Sequence, residues 1–225
     1  MGNALRNGEA GERQKPDAVI FDMDGVLVDS EPFGFEALRR VMARYGLPYR
    51  EEENAEFLGR TTLDSCHILR ARHGLRESAE TLADWYIEGM LEQIGQGPIP
   101  MVGVPDVLKT IRAAGYRLAL ASSAEVRVID ANLTALGLRP LFDAVVSATQ
   151  VARGKPAPDV FLAAAERLGV RPAACLVVED SRNGLLAAKA AGMRCAVVPC
   201  AHTRHQDFDG CDHRLAALPE LLTLL

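Results

Sequence analysis

From about residue 98 to residue 198 the chain alternates apolar extended runs with amphipathic stretches, and few folds accommodate that pattern. VPDVLKTIRAAG reads as helical, YRLALAS as extended, EVRVIDANLTALG as helical and FDAVVSA as extended. PDVFLAAAERLGV, LVVED, SRNGLLAAKAAG and RCAVVP continue the alternation. Adjacent parallel strands need a crossover long enough to hold a helix, so the pattern predicts a parallel α/β sheet covered on both faces. Gly115, Gly137, Gly169 and Gly192 follow the helical stretches and are expected as left-handed C-caps. A further extended run begins at Ala18. Between about 31 and 97 no strand is evident. FGFEALRRVMARYG, with Phe35, Leu38, Met42 and Tyr45 at helical spacing, TLDSCHILRARHG and AETLADWYIEGMLEQIG all read as helices. The expected organisation is an α/β core made of 17–31 and 98–225, an all-α insert at 32–97, and a polar, Gly-rich tail at 1–16 expected to be disordered.

Composition narrows the function. An apolar share of 48% without a long apolar run predicts a soluble chain with no membrane partner. The formal net charge of −5 argues against nucleic acid, whose phosphates call for clustered Lys and Arg. The N-terminus lacks the apolar segment of a secretory signal, and the five cysteines form no CxxC pair, so a cytoplasmic location with reduced thiols is expected. Nothing calls for more than a monomer.

The polar residues at the ends of the extended runs carry the chemistry. Asp22 closes AVIFD and is followed by Met23, Asp24 and Gly25, so two carboxyl groups can approach one phosphoryl group, Asp22 as nucleophile and Asp24 as acid and base. Ser122 or Ser123, after LALA, offers a hydroxyl to a phosphate oxygen or caps the following helix. Lys155 in GKPAPD would neutralise charge on the transferring group, although most lysines are exposed. Glu179 and Asp180 close LVVED, where two acids are costly without a cation; Mg²⁺ suits them, while a helix cap is the plainer alternative. Each plain reading stands alone, but all four together at strand ends do not.

Together DMDGVLVDS, the Ser after LALA, GKPAPD and LVVEDSRNG resemble the haloacid dehalogenase superfamily. The likeness is to its branch of β-phosphoglucomutase-like enzymes and small sugar-phosphate phosphatases, and it runs from about Ala18 to Leu225. It implies a Rossmann-like core with a helical cap, Mg²⁺ as cofactor, and catalysis by Asp22 and Asp24. It also implies phosphate contacts from Ser122 and Lys155 and metal ligation by Asp22, Asp24, Glu179 and Asp180. By the same likeness Gly59, Arg60, Thr61 and Thr62 of FLGRTTLDS face the substrate.

Departures from the mutase pattern favour hydrolysis. Gly34 stands where the mutases of that superfamily carry a cap histidine, Thr62 where they carry an arginine, and Ala124, Glu125 and Val126 where they hold a second phosphate. The expected activity is a Mg²⁺-dependent phosphatase for a small phosphorylated metabolite, with a phosphosugar mutase as the alternative. A phospho-accepting signalling domain has no use for Asp24, and dehalogenases of the superfamily lack the second aspartate. Cys200, His202, His205, Cys211 and His213 lie close together, but their spacing matches no common zinc arrangement, and an exposed loop is the favoured reading.

Overall fold

The computed structural model describes residues 15–57 and 60–225, except for the side chain of Ala55. Most of the expected tail, 1–14, and two residues of the expected cap contact segment, Leu58 and Gly59, lie outside the described residues.

Six parallel strands form one sheet in the order β3-β2-β1-β4-β5-β6. They are β1 (Ala18–Phe21), β2 (Arg117–Ser122), β3 (Ala144–Ser147), β4 (Cys175–Glu179), β5 (Arg194–Val197) and β6 (His213–Arg214). β1, at the centre, is AVIF and entirely buried, as expected of a parallel strand covered on both faces. Strand periodicity divides the apolar residues. Val19, Phe21, Leu118, Leu120, Leu176 and Val178 pack with α5 (Val104–Ala113) and α6 (Val126–Ala135). Ile20, Ala119, Ala121, Val146 and Val177 face α7 (Asp159–Leu168) and α8 (Arg182–Ala190) on the other side. All four glycines expected as C-caps take positive φ.

Between β1 and α5 the chain forms α1 (Glu31–Ala43), α2 (Glu51–Asn54), α3 (Thr62–His73) and α4 (Ala79–Gly95). Leu38, Met42, Cys66, Leu69 and Leu82 make a separate apolar cluster among these helices. α1 and α4 pack closely, since a Cβ on Gly89 would lie 3.1 Å from the Cβ of Ala37. Ala37, Ile87, Met90 and Ile94 turn the other way and join the cluster beneath the sheet. The two connections to the helical layer run side by side, with Asp29 N donating to Ile99 O at 2.9 Å and Met101 N to Leu27 O at 3.0 Å.

Strand order reverses between β1 and β4, and the crevice beyond the carboxyl ends of such a pair is where ligands bind in sheets of this kind. Phe21 pairs with Val178, so the residues that follow, Asp22 and Glu179, emerge side by side. Phe21 also pairs with Leu120, which sets Ser122 beside the same mouth.

Candidate active site

Four chain segments converge at this mouth. Asp22 is fixed by its backbone N–H, which donates to Val178 O at 2.9 Å. Lys155, on the loop before α7, has a side chain only 2% exposed. Its Nζ donates to Asp22 Oδ1 at 2.6 Å, Glu179 Oε1 at 2.7 Å and Ala121 O at 3.1 Å, above the Phe161 ring. The surface lysine that base frequency would suggest is therefore excluded, because three acceptors from three strand ends saturate the ammonium.

Glu179 is wholly buried, and its Oε2 accepts from Asp180 N, Ser181 N and Ser181 Oγ, each at 2.9 Å. A Cβ on Gly184 would sit 1.7 Å from the Glu179 carboxylate, so the first turn of α8 has room for this acid only with glycine there. The helix cap is Ser181, which accepts from Gly184 N, so neither Glu179 nor Asp180 is spent on capping. Asp180 accepts from Thr203 Oγ1 at 3.1 Å and from Cys200 Sγ at 3.2 Å. Gly25 has φ +78, and a Cβ there would lie 2.2 Å from Asp180 Oδ2; backbone conformation and space both demand glycine.

Oxygens of Asp22, Glu179 and Asp180 lie within 4.8 Å of one another. Three buried carboxylates share one ammonium, and the imbalance shows in the titration of Asp22 and Asp180. Burial pushes Asp22 well above the usual carboxylate range despite Lys155 beside it. Burial, with Glu179 adjacent, pushes Asp180 up to about 7. Burial also pulls Lys155 down, but Asp22 and Glu179 outweigh it and hold the ammonium protonated. An all-oxygen donor set with surplus negative charge fits a hard divalent cation such as Mg²⁺.

The Asp24 carboxylate lies outside this cluster. Ser30 Oγ donates to its Oδ1 at 2.6 Å, and Ser122 Oγ reaches its Oδ2 at 3.4 Å. Burial raises Asp24, with Ser30 and Lys155 opposing. Ser122 also accepts from Ala124 N at 3.0 Å. The cap of α6 is Glu125, so neither Ser122 nor Ser123 serves as the helix cap that the sequence left open.

A cavity of about 150 Å³ opens above these groups, lined by Asp22, Asp24, Ser123 and Lys155 from the sheet side and by Glu31, Tyr86 and others from the helical layer. Arg60 and Thr62 line it as well, with Arg60 exposed. Thr61 does not: its hydroxyl accepts from Asp64 N at 3.1 Å and donates to Asp64 Oδ2 at 2.7 Å, capping α3. Among the described residues the Cys and His of the 200–213 stretch do not gather into one ligand set. Cys200 turns to Asp180, and His202 lines the cavity 4.0 Å from Asp29. Residue types alone gave no signal for Glu31, Asn54, Tyr86 or Thr203, all of which line the cavity, as do Ser30 and His202. Tyr86 is informative: a Cβ on Gly34 would lie 3.1 Å from its hydroxyl, so the phenol closes the space above Gly34.

The model of the haloacid dehalogenase-like hydrolase family matches residues 19–198. Over 216 residues the chain is 35% identical to protein CbbY of Rhodobacter capsulatus, covering 92% of this chain and 95% of that protein. It is 38% identical over 177 residues to a phosphorylated carbohydrates phosphatase of Thermotoga maritima, covering 79% and 82%. A crystal structure of a CbbY mutant from Rhodobacter sphaeroides, in complex with xylulose-(1,5)bisphosphate, matches with a TM-score of 0.84 and 30% identity, covering 92% and 96%.

Proposed function

Because the chain belongs to the haloacid dehalogenase-like hydrolase family and is a phosphoric monoester hydrolase, we propose that it dephosphorylates a small phosphorylated carbohydrate through a phosphorylated Asp22. The observation that carries the mechanism is the buried ammonium of Lys155 bridging Asp22 and Glu179 at 2.6 and 2.7 Å. Lys155 holds Oδ1 of Asp22, which leaves Oδ2 to attack phosphorus. As the ester bond breaks, Asp24 gives its proton to the leaving oxygen; its raised pKa suits an acid, and Ser30 and Ser122 aim the carboxyl group. Asp24, now ionised, takes a proton from the water that attacks phosphorus in the second step, and Asp22 is regenerated. Ser123, which lines the cavity, offers a donor to the phosphoryl oxygens, and the Lys155 ammonium adds positive charge beside them, while Ser122 acts through its hydrogen bond to Asp24. Held by Asp22, Glu179, Asp180 and the Asp24 carbonyl, Mg²⁺ would supply positive charge to those oxygens and keep Asp22 ionised.

The helices from α1 to α4 act in this reading as a cap that closes over the substrate, with the paired connections near Asp29 and Ile99 as hinge. Arg60 and Thr62, which line the cavity, then meet the leaving group, while Thr61 fixes the start of α3. Hydrolysis is favoured over mutase chemistry because Gly34 and the Tyr86 hydroxyl leave the second phosphate without a charged clamp. The test is phosphate release from p-nitrophenyl phosphate and from sugar phosphates, with Mg²⁺ or with chelator. Release that requires metal and disappears in Asp22→Asn is expected; full activity in Asp22→Asn or in chelator rules the mechanism out.

A further inference from the structure

Thr203 carries a buried hydroxyl, in the turn that follows β5, that the phosphoryl-transfer chemistry does not use. The turn is tied down at both ends. Val198 N donates to Glu179 O at 2.7 Å, and Gln206 Oε1 accepts from Arg182 N at 2.7 Å, which pins the segment to the end of β4 and to the start of α8. Within it Cys200 O accepts from Thr203 N at 3.3 Å and from Arg204 N at 3.1 Å. The backbone therefore presents Cys200 and Thr203 together to the carboxylate of Asp180.

The Thr203 hydroxyl has one proton to give. Its oxygen accepts from Cys200 N at 3.1 Å, and a carboxylate only accepts, so the proton goes to Asp180 Oδ2 at 3.1 Å; the weaker acceptor, Cys200 Sγ, lies at 3.4 Å. The Cys200 thiol donates to the same Oδ2 at 3.2 Å. Both donors thus meet one oxygen. Among the described residues the other, Oδ1, accepts no hydrogen bond, and it is not buried without a partner, so it stays open to the cavity that Asp180 lines. One oxygen is anchored to the protein, and the other is left for a cation.

Building on the reading of the acidic cluster as a Mg²⁺ site, we propose that Thr203 and Cys200 are positioning residues for the metal: they hold Oδ2 of Asp180 and so aim Oδ1 at the ion. Groups that hydrogen-bond a ligating carboxylate from outside set its orientation, and losing one costs about 10- to 100-fold in metal affinity. Thr203 carries the larger share, because the turn fixes its hydroxyl and a thiol is a weak donor.

The test is calorimetric titration of Mg²⁺ into metal-free protein, without substrate, for wild type, Thr203→Val, Thr203→Ser and Cys200→Ala. Thr203→Val keeps the shape and removes the hydroxyl, so it should weaken Mg²⁺ binding by at least about tenfold, while Thr203→Ser should stay within about threefold of wild type. Cys200→Ala should weaken binding by about two- to fivefold. Each titration is made well below the melting temperature in chelator, where a general loss of stability leaves the dissociation constant of the folded protein unmoved. Turnover of p-nitrophenyl phosphate by Thr203→Val should approach that of wild type as Mg²⁺ saturates. Wild-type affinity in Thr203→Val overturns the proposal, as does a Thr203→Ser variant as weak as Thr203→Val, or a turnover defect that saturating Mg²⁺ does not narrow. If Thr203→Val does not fold, Cys200→Ala decides, and wild-type affinity there overturns the proposal. A wild-type protein that binds no Mg²⁺ sinks the metal reading and the proposal with it.

Discussion

Replacing Lys155 by Met tests whether one ammonium holds the acidic cluster together. Met fills a similar volume and still packs on Phe161, but it cannot donate to Asp22, Glu179 or Ala121. Because the lysine side chain is 2% exposed and its partners 9% and 0%, water cannot replace those contacts. Removing one partner of a buried ion pair costs about 3 to 5 kcal/mol, a large part of the ~5 to 15 kcal/mol that holds a domain folded. For a chain of this size each kcal/mol moves the melting temperature by about 2 to 4 °C, so Tm should fall by roughly 6 to 20 °C in chelator. The assay is thermal unfolding of wild type, Lys155→Met, Glu179→Gln and the double variant, each in EDTA and in excess Mg²⁺. Removing the second acid should recover part of the loss, giving a coupling of about 1 to 3 kcal/mol between Lys155 and Glu179. Mg²⁺ should also narrow the gap, since a cation among the carboxylates replaces part of the missing charge. A loss under about 1 kcal/mol, typical of exposed ion pairs, would refute the reasoning.

Asp24→Asn should lower kcat by about 10² to 10⁴ while leaving Mg²⁺-dependent thermal stabilisation in place, as measured by steady-state kinetics beside melting curves. Gly25→Ala, whose Cβ would meet Asp180 Oδ2 at 2.2 Å, should abolish the stabilisation by Mg²⁺; an unchanged metal titration would contradict the close approach. The pH dependence in chelator follows from Asp180, which is raised from 3.8 to about 7 by burial and Glu179. The folded protein keeps a proton that the unfolded chain has lost, so this contribution is full below about pH 4 and disappears as the pH rises through about 7. Denaturant titrations should therefore show Asp180→Asn gaining on the wild type between those limits, and a gain in the opposite direction would refute the assignment.

The sheet was legible because its central strands are buried on both faces and so read as unbroken apolar runs between helical stretches. β6 was not legible: His213 and Arg214 pair with Ala196 and Val197 at the edge, and two polar residues carry no periodicity. α2 is a single turn of EEEN with no buried residue, so it too left no apolar pattern. Within the candidate site, Asp22, Ser122 and the Glu179 and Asp180 pair were visible because strand ends point to one crevice. The burial of Lys155 was not visible, since it depends on acceptors 133, 34 and 24 residues away along the chain. The capping role of Thr61 was written locally in its spacing to Asp64. Glu31 on α1, Asn54 on α2 and Tyr86 on α4 are polar residues on helices, and only the packing of the helical layer brings them to one cavity.

The central claim is that phosphorus passes through Asp22. A rapid acid quench of Asp24→Asn during turnover with Mg²⁺, followed by peptide mass spectrometry, tests it most directly, because slowing the water step should let the intermediate accumulate. The account predicts the added mass of one phosphoryl group on the peptide containing Asp22, absent from Asp22→Asn. Phosphate release by an enzyme whose Asp22 peptide is never phosphorylated, with the label found on another residue or on none, would contradict it.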